Sequence, residues 1–130
     1  MDNPLVIHRS RAEDLTEQMV SFGEYIAARR KALKLTLKDL AAQLKKSDGV
    51  PISLAYLHDI ETGSRKPPND QIIEQLATIL GIQVEILYYQ AERMPADLIR
   101  DDVSEERVMA AYQAFRREIN LGGKKKKKRK

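Results

Sequence analysis

Residues 36–63, TLKDLAAQLKKSDGVPISLAYLHDIETG, decide the fold. They read as two short helices joined by a turn. Leu37, Leu40, Ala41 and Leu44 recur at helical spacing and give the first helix one apolar face. Thr36 precedes them as an N-cap, and Asp39, three residues on, favours the positive end of the same helix. Ser53 caps the second run, in which Tyr56, Leu57 and Ile60 form the inward stripe. Gly63 supplies the left-handed residue that ends it.

The flanking sequence continues the helical pattern on both sides. Residues 22–33 predict a helix with Phe22, Ile26 and Leu33 inward and Gly23 as a loosening point at its start. Arg29, Arg30, Lys31 and Lys34 crowd its end, where cations complement the negative terminus. Downstream, Pro67 and Pro68 interrupt the chain. Asn69 then caps a helix over residues 70–80, with Ile72, Ile73, Leu76, Ala77 and Leu80 apolar and Gly81 as the stop. A fifth helix is expected from Gln83 to about Arg93, with Val84, Leu87 and Tyr88 inward and Pro95 ending it.

With these elements in place, the chain resembles the Cro/C1 type (XRE family) of helix-turn-helix DNA-binding proteins. The resemblance rests on Thr36, Leu40 and Ala41 (T-x-x-x-L-A), on Ile52, Ser53, Tyr56 and Leu57 (I-S-x-x-Y-L), and on Ile60, Glu61 and Gly63 (I-E-x-G) followed by Ser64, Arg65, Lys66 and two prolines. It covers residues 22–89, about half the chain. One feature departs from the family pattern. Ala41 and Ser53 are twelve positions apart, roughly double the usual separation, so the turn between the two motif helices is enlarged. The resemblance implies an all-α, lambda-repressor-like bundle of five helices and an ion pair between Arg30 and Glu61. It also implies a transcriptional regulator, expected to be a repressor acting as a homodimer on double-stranded DNA. The alternative it leaves open is the antitoxin half of a toxin–antitoxin pair, or another module that binds a protein partner.

Outside residues 22–93, three further segments are expected. Residues 1–21 form an N-terminal arm and a helix, which Ser10 and Glu13 would cap and which would run to about Val20 with Leu15 and Met19 on one face. Residues 94–121 hold a linker and then a helix capped by Ser104. Its stripe Val108, Ala111, Tyr112, Phe115 and Ile119 suits a dimer interface. Residues 122–130 are a Gly-Gly break and the basic run KKKKKRK, which self-repulsion should keep disordered. That run reads equally as a nucleic-acid arm, a targeting signal or an added tail.

Composition narrows the function. There are no cysteines, which excludes disulfides, thiolate metal sites and cysteine nucleophiles. The two histidines are fifty positions apart and make no metal spacing. Asp101, Asp102, Glu105 and Glu106 are explained by their place at a helix start. No phosphate-cradling glycine loop is present. The reading is therefore no catalytic residue, no metal, no cofactor and no enzyme. No apolar run approaches the ~20 residues needed to span a bilayer, and the expected place is the cytoplasm, associated with the nucleoid.

The net charge of +4 conceals a segregated pattern. Residues 22–66 hold nine Lys or Arg against five Asp or Glu, whereas residues 67–123 hold five against ten. The basic block coincides with the helix pair, as a phosphate-facing surface requires. By position in the motif, Ser53, Leu54, Ala55, His58 and Asp59 are the candidates for base contacts. Leu54 and Ala55 suit thymine methyls, Asp59 a cytosine amino group and His58 a purine or a phosphate. The candidates for phosphate contacts are Arg30, Thr36, Lys38, Lys45, Lys46, Arg65 and Lys66.

Overall fold

The computed structural model describes residues 20–121, and among these all regular structure is helical. The helices are α1 (Phe22–Ala32), α2 (Leu37–Gln43), α3 (Leu54–Thr62), α4 (Asp70–Leu80), α5 (Val84–Gln90) and α6 (Glu105–Leu121), with a 3-10 turn at Ala96–Leu98. The expected helix before Val20 and the basic run 124–130 lie outside the described residues. The described chain divides into two compact units, one ending at Ala96 and the other beginning at Asp97.

Local capping sets most helix boundaries. Ser21 and Glu24 exchange bonds at the start of α1, and Thr36 and Asp39 do so at the start of α2. Ser53 and Asn69 each accept an N–H from the third helical residue, at 3.0 Å in both cases. Gly63 and Gly81 close α3 and α4 with φ of 89° and 68°, a conformation that costs other residues energy.

The first unit is built around one apolar cluster. Phe22, Tyr25 and Ile26 of α1 meet Leu40, Ala41 and Leu44 of the α2 segment, Leu57 and Ile60 of α3, and the inner faces of α4 and α5. Helix α3 packs against both α1 and α2. Helix α3 is therefore braced from behind while its outer face stays exposed.

Three expectations need correction. Leu33 is 45% exposed rather than inward. Helix α1 ends at Ala32, Lys34 takes a positive φ of 60°, and this turn delivers Leu35 to the core in place of Leu33. Helix α5 stops at Gln90 rather than near Arg93. Glu92 adopts φ of 58°, and the Arg93 guanidinium turns back to the Pro68 carbonyl at 2.6 Å and to Asp70 Oδ1 at 2.9 Å. It also lies 6.0 Å from the centroid of Tyr88. Burial, then the nearby Asp70 and Glu74 carboxylates, push the Tyr88 hydroxyl above its usual pKa.

Gly23 also differs from its reading as a loose junction. It lies inside α1, and a Cβ at that position would fall 2.6 Å from the Glu61 carbonyl oxygen and closer still to that of Ile60. The missing side chain lets α1 approach the end of α3 directly.

Candidate nucleic-acid interface

The geometry is set by how α2 and α3 are joined. The enlarged turn does not sprawl. Leu44 and Ile52, both buried, anchor its two ends, and Ile52 N–H donates to the Leu44 carbonyl at 2.9 Å. An antiparallel bridge pairs Lys45 with Pro51, and Lys46 N–H donates to Val50 O at 2.8 Å. Gly49 turns the tip at φ 85°, and Asp48 Oδ1 accepts the Val50 N–H at 2.9 Å. Gln75 on α4 then clamps the base from outside. Its Oε1 accepts the Lys45 N–H at 2.8 Å and its Nε2 donates to the Lys45 carbonyl at 2.9 Å. The extra residues form a small closed loop, and the chain returns to place Ser53 at the head of α3.

On α3, Leu57 and Ile60 point into the core. Ser53, Leu54, Ala55 and His58 are exposed, and Asp59 is half-buried. Ser53 spends its hydroxyl on the Tyr56 N–H. The base-contact candidates thus share the outward side of one capped helix, which presents its first turn to whatever approaches.

Behind this helix lies Arg30. Its Nε donates to Glu61 Oε2 at 2.7 Å, its Nη2 to Glu61 Oε1 at 2.9 Å, and its Nη1 to the Leu35 carbonyl at 2.9 Å. Only 11% of the Arg30 side chain and 8% of the Glu61 side chain are exposed. The hydrogen bonds to Glu61 raise the Arg30 pKa above its usual value, against the opposing effect of burial. The fork is committed to Glu61 and to the Leu35 carbonyl. It fixes the end of α3 to α1 and to the α1–α2 turn just before α2.

The remaining candidate cations lie on the segments before and after α3. Lys38, Lys46 and Lys66 are exposed. Lys45 is exposed too, but its Nζ folds onto the Ala42 carbonyl at 3.2 Å. Thr36 holds Asp39 in a reciprocal cap, so its hydroxyl already has a partner. The Thr36 backbone N–H, and then its hydroxyl, hold the Asp39 carboxyl below its usual pKa. Arg65 returns toward α3, lying over Tyr56 and beside Asp59.

A family model described as a helix-turn-helix domain matches residues 21–86, just over half the chain. The protein belongs to the helix-turn-helix domain family. No curated protein and no solved structure matches the chain. The matched span runs from the N-cap of α1 into α5, and so takes in both helices of the helix-turn-helix pair and most of the core behind them. It agrees with the resemblance to the Cro/C1 type drawn from residues 22–89. Among the described residues no group of His, Asp or Glu could hold a metal ion, and no helix is long and apolar enough to cross a membrane.

Sequence reasoning assigned Tyr56 to the inward stripe and missed its place beside Arg65. The two residues are nine apart, and helical spacing says nothing about a side chain returning after the helix has ended. Gln75 was missed for a similar reason. It is a half-buried polar residue on α4, and only the fold brings it to the loop thirty residues earlier.

Proposed function

We propose that this helix-turn-helix protein binds double-stranded DNA sequence-specifically and acts as a transcriptional repressor, as a homodimer on a two-fold site. The observation that carries this reading is α3 itself, a capped helix braced at its far end by Arg30 and Glu61, whose first turn is exposed and which lies in the segment, residues 22–66, that holds nine Lys or Arg against five Asp or Glu. An α-helix fits the major groove, and its first residues meet base edges there. Ser53, Leu54, Ala55, His58 and Asp59 are then the residues near bases, and Thr36, Lys38, Lys45, Lys46 and Lys66 those near phosphates. The repressor role rests on the family resemblance rather than on any residue.

The second copy is the proposed occupant of the α6 stripe. Val108, Met109, Tyr112, Phe115 and Ile119 are between 41% and 55% exposed. Val108, Tyr112, Phe115 and Ile119 follow one another at steps of four, three and four, the seam spacing of two paired helices. Glu105 and Glu106 open α6, while Arg116 and Arg117 stand near its end, so an antiparallel partner sets acids toward arginines. A dimer matches the two-fold symmetry of DNA half-sites.

Selection of bound fragments from random duplex DNA tests the reading. A recovered two-fold site supports it, and Ala55→Arg and Asp59→Ala should each change the preferred sequence, with about 1–3 kcal/mol per lost base contact. Both variants ranking sites as the parent does would remove α3 as the reader.

A further inference from the structure

Helix α3 contains no Arg, Asn or Gln, the side chains that contact guanine or adenine through two bonds at once. The fold supplies a guanidinium from outside the helix. Gly63 turns the chain, and the Arg65 N–H donates to the Asp59 carbonyl at 3.1 Å, which directs residue 65 back along α3. The Arg65 Cζ then sits 5.2 Å from the centroid of the Tyr56 ring, and its Nε lies 3.9 Å from Asp59 Oδ2. Tyr56 and Asp59 are three residues apart, hence neighbours on one strip of the helix.

This arrangement has consequences for both charges. A lone Asp59 carboxylate entering a groove between phosphates would be repelled. Beside Arg65 the pair is close to neutral, and the carboxylate attracts the guanidinium from 3.9 Å. The Tyr56 ring, 5.2 Å away, attracts the guanidinium over its face. The Nη atoms make no hydrogen bond among the described residues, and 58% of the side chain is exposed. Two N–H groups left exposed beside a helix that enters the major groove match the O6 and N7 acceptors of guanine.

We infer that Arg65 is a specificity-determining residue that reads a guanine, with Asp59 and Tyr56 as its positioning residues, although its place after the helix would by itself suggest a phosphate contact. The inference rests on the DNA-binding function proposed above. It also accounts for a reading helix that has no Arg, Asn or Gln of its own.

The experiment uses the full chain and the duplex that it selects from random DNA. Arg65→Lys keeps the charge but not the two-bond fork. Its affinity for the selected site should fall about 10- to 100-fold, with the preference for one G·C pair lost. Its affinity for random duplex and the salt dependence of that affinity should stay as in the parent. Asp59→Asn should weaken discrimination at the same base pair and leave the other positions alone. Matching thermal melts separate these effects from unfolding. If Arg65→Lys and Asp59→Asn both keep the parental ranking at every position, Arg65 is a charge on the backbone and the inference falls. If the parent itself shows no preference among duplexes, the proposed function fails first and takes this inference with it.

Discussion

Arg30 on α1 and Glu61 on α3 meet through two parallel hydrogen bonds of 2.7 and 2.9 Å across thirty-one residues of chain. Such a fork is directional, so it fixes the rotation of α3 about its own axis as well as its distance from α1. The rotation determines which side of α3 faces outward. Removing one partner leaves the other charge largely buried, and Arg30→Met or Glu61→Gln should each cost about 2–3 kcal/mol. The double variant should cost less than the sum. Strictly additive losses in a denaturant double-mutant cycle would show that the two residues do not act as a pair.

Gly23→Ala tests the close approach of α1 to the end of α3. The added methyl would meet backbone carbonyls, which cannot rotate away as a side chain could. Alanine otherwise favours a helix by about 1 kcal/mol over glycine. A net loss of about 1–3 kcal/mol is expected from overpacking. A variant as stable as the parent, or more so, would mean that the helices separate at little cost.

Asp39 gives stability an acid limit. Its folded pKa is depressed by the Thr36 N–H, so the unfolded state binds its proton first as pH falls. The contribution of the cap is complete above the ordinary Asp pKa of about 3.9 and is lost as pH drops through the lower folded value. The melting temperature of Asp39→Ala should lie below that of the parent at about pH 6, and the gap should narrow below about pH 4. A gap that persists undiminished at about pH 2 would show that the carboxylate charge is not what holds the cap.

Gln75 should matter to the loop before α3 more than to the core. Gln75→Ala removes two bonds to the Lys45 backbone, and because they are exposed the expected loss is about 1 kcal/mol. Hydrogen exchange should quicken at the amides of Lys45 and Lys46 while that of the buried Leu57 stays slow. Unchanged exchange in the loop would mean that the Lys45–Pro51 bridge closes it unaided.

The dimer interface is tested by shortening the chain. Light scattering on a protein ending at Asp101 should report a monomer, with the full chain a dimer. A truncated protein that remains dimeric would place the interface in the first unit or before it. Co-purification of a different protein with the full chain would instead favour the antitoxin-like alternative.

The sequence by itself determined where helices begin and end wherever the cause was local. Thr36, Ser53 and Asn69 cap within three residues of themselves, and Gly63 and Gly81 act on their own backbone. Apolar periodicity likewise marked Leu40, Leu57, Ile60 and Leu76 as core, since a 3.6-residue period has one inward side whatever it packs against. The pairing of Arg30 with Glu61 came from the family resemblance, and the structure shows its geometry. Periodicity misplaced Leu33, because a positive φ at Lys34 reversed the chain before the next apolar position was used. Only the tertiary structure decided that the enlarged turn closes on Gln75, that Gly23 touches the end of α3, and that Arg65 folds over Tyr56 beside Asp59. Each is a contact between surfaces that meet only once the helices have packed, and the spacing of residues along a chain carries no record of which surfaces those are.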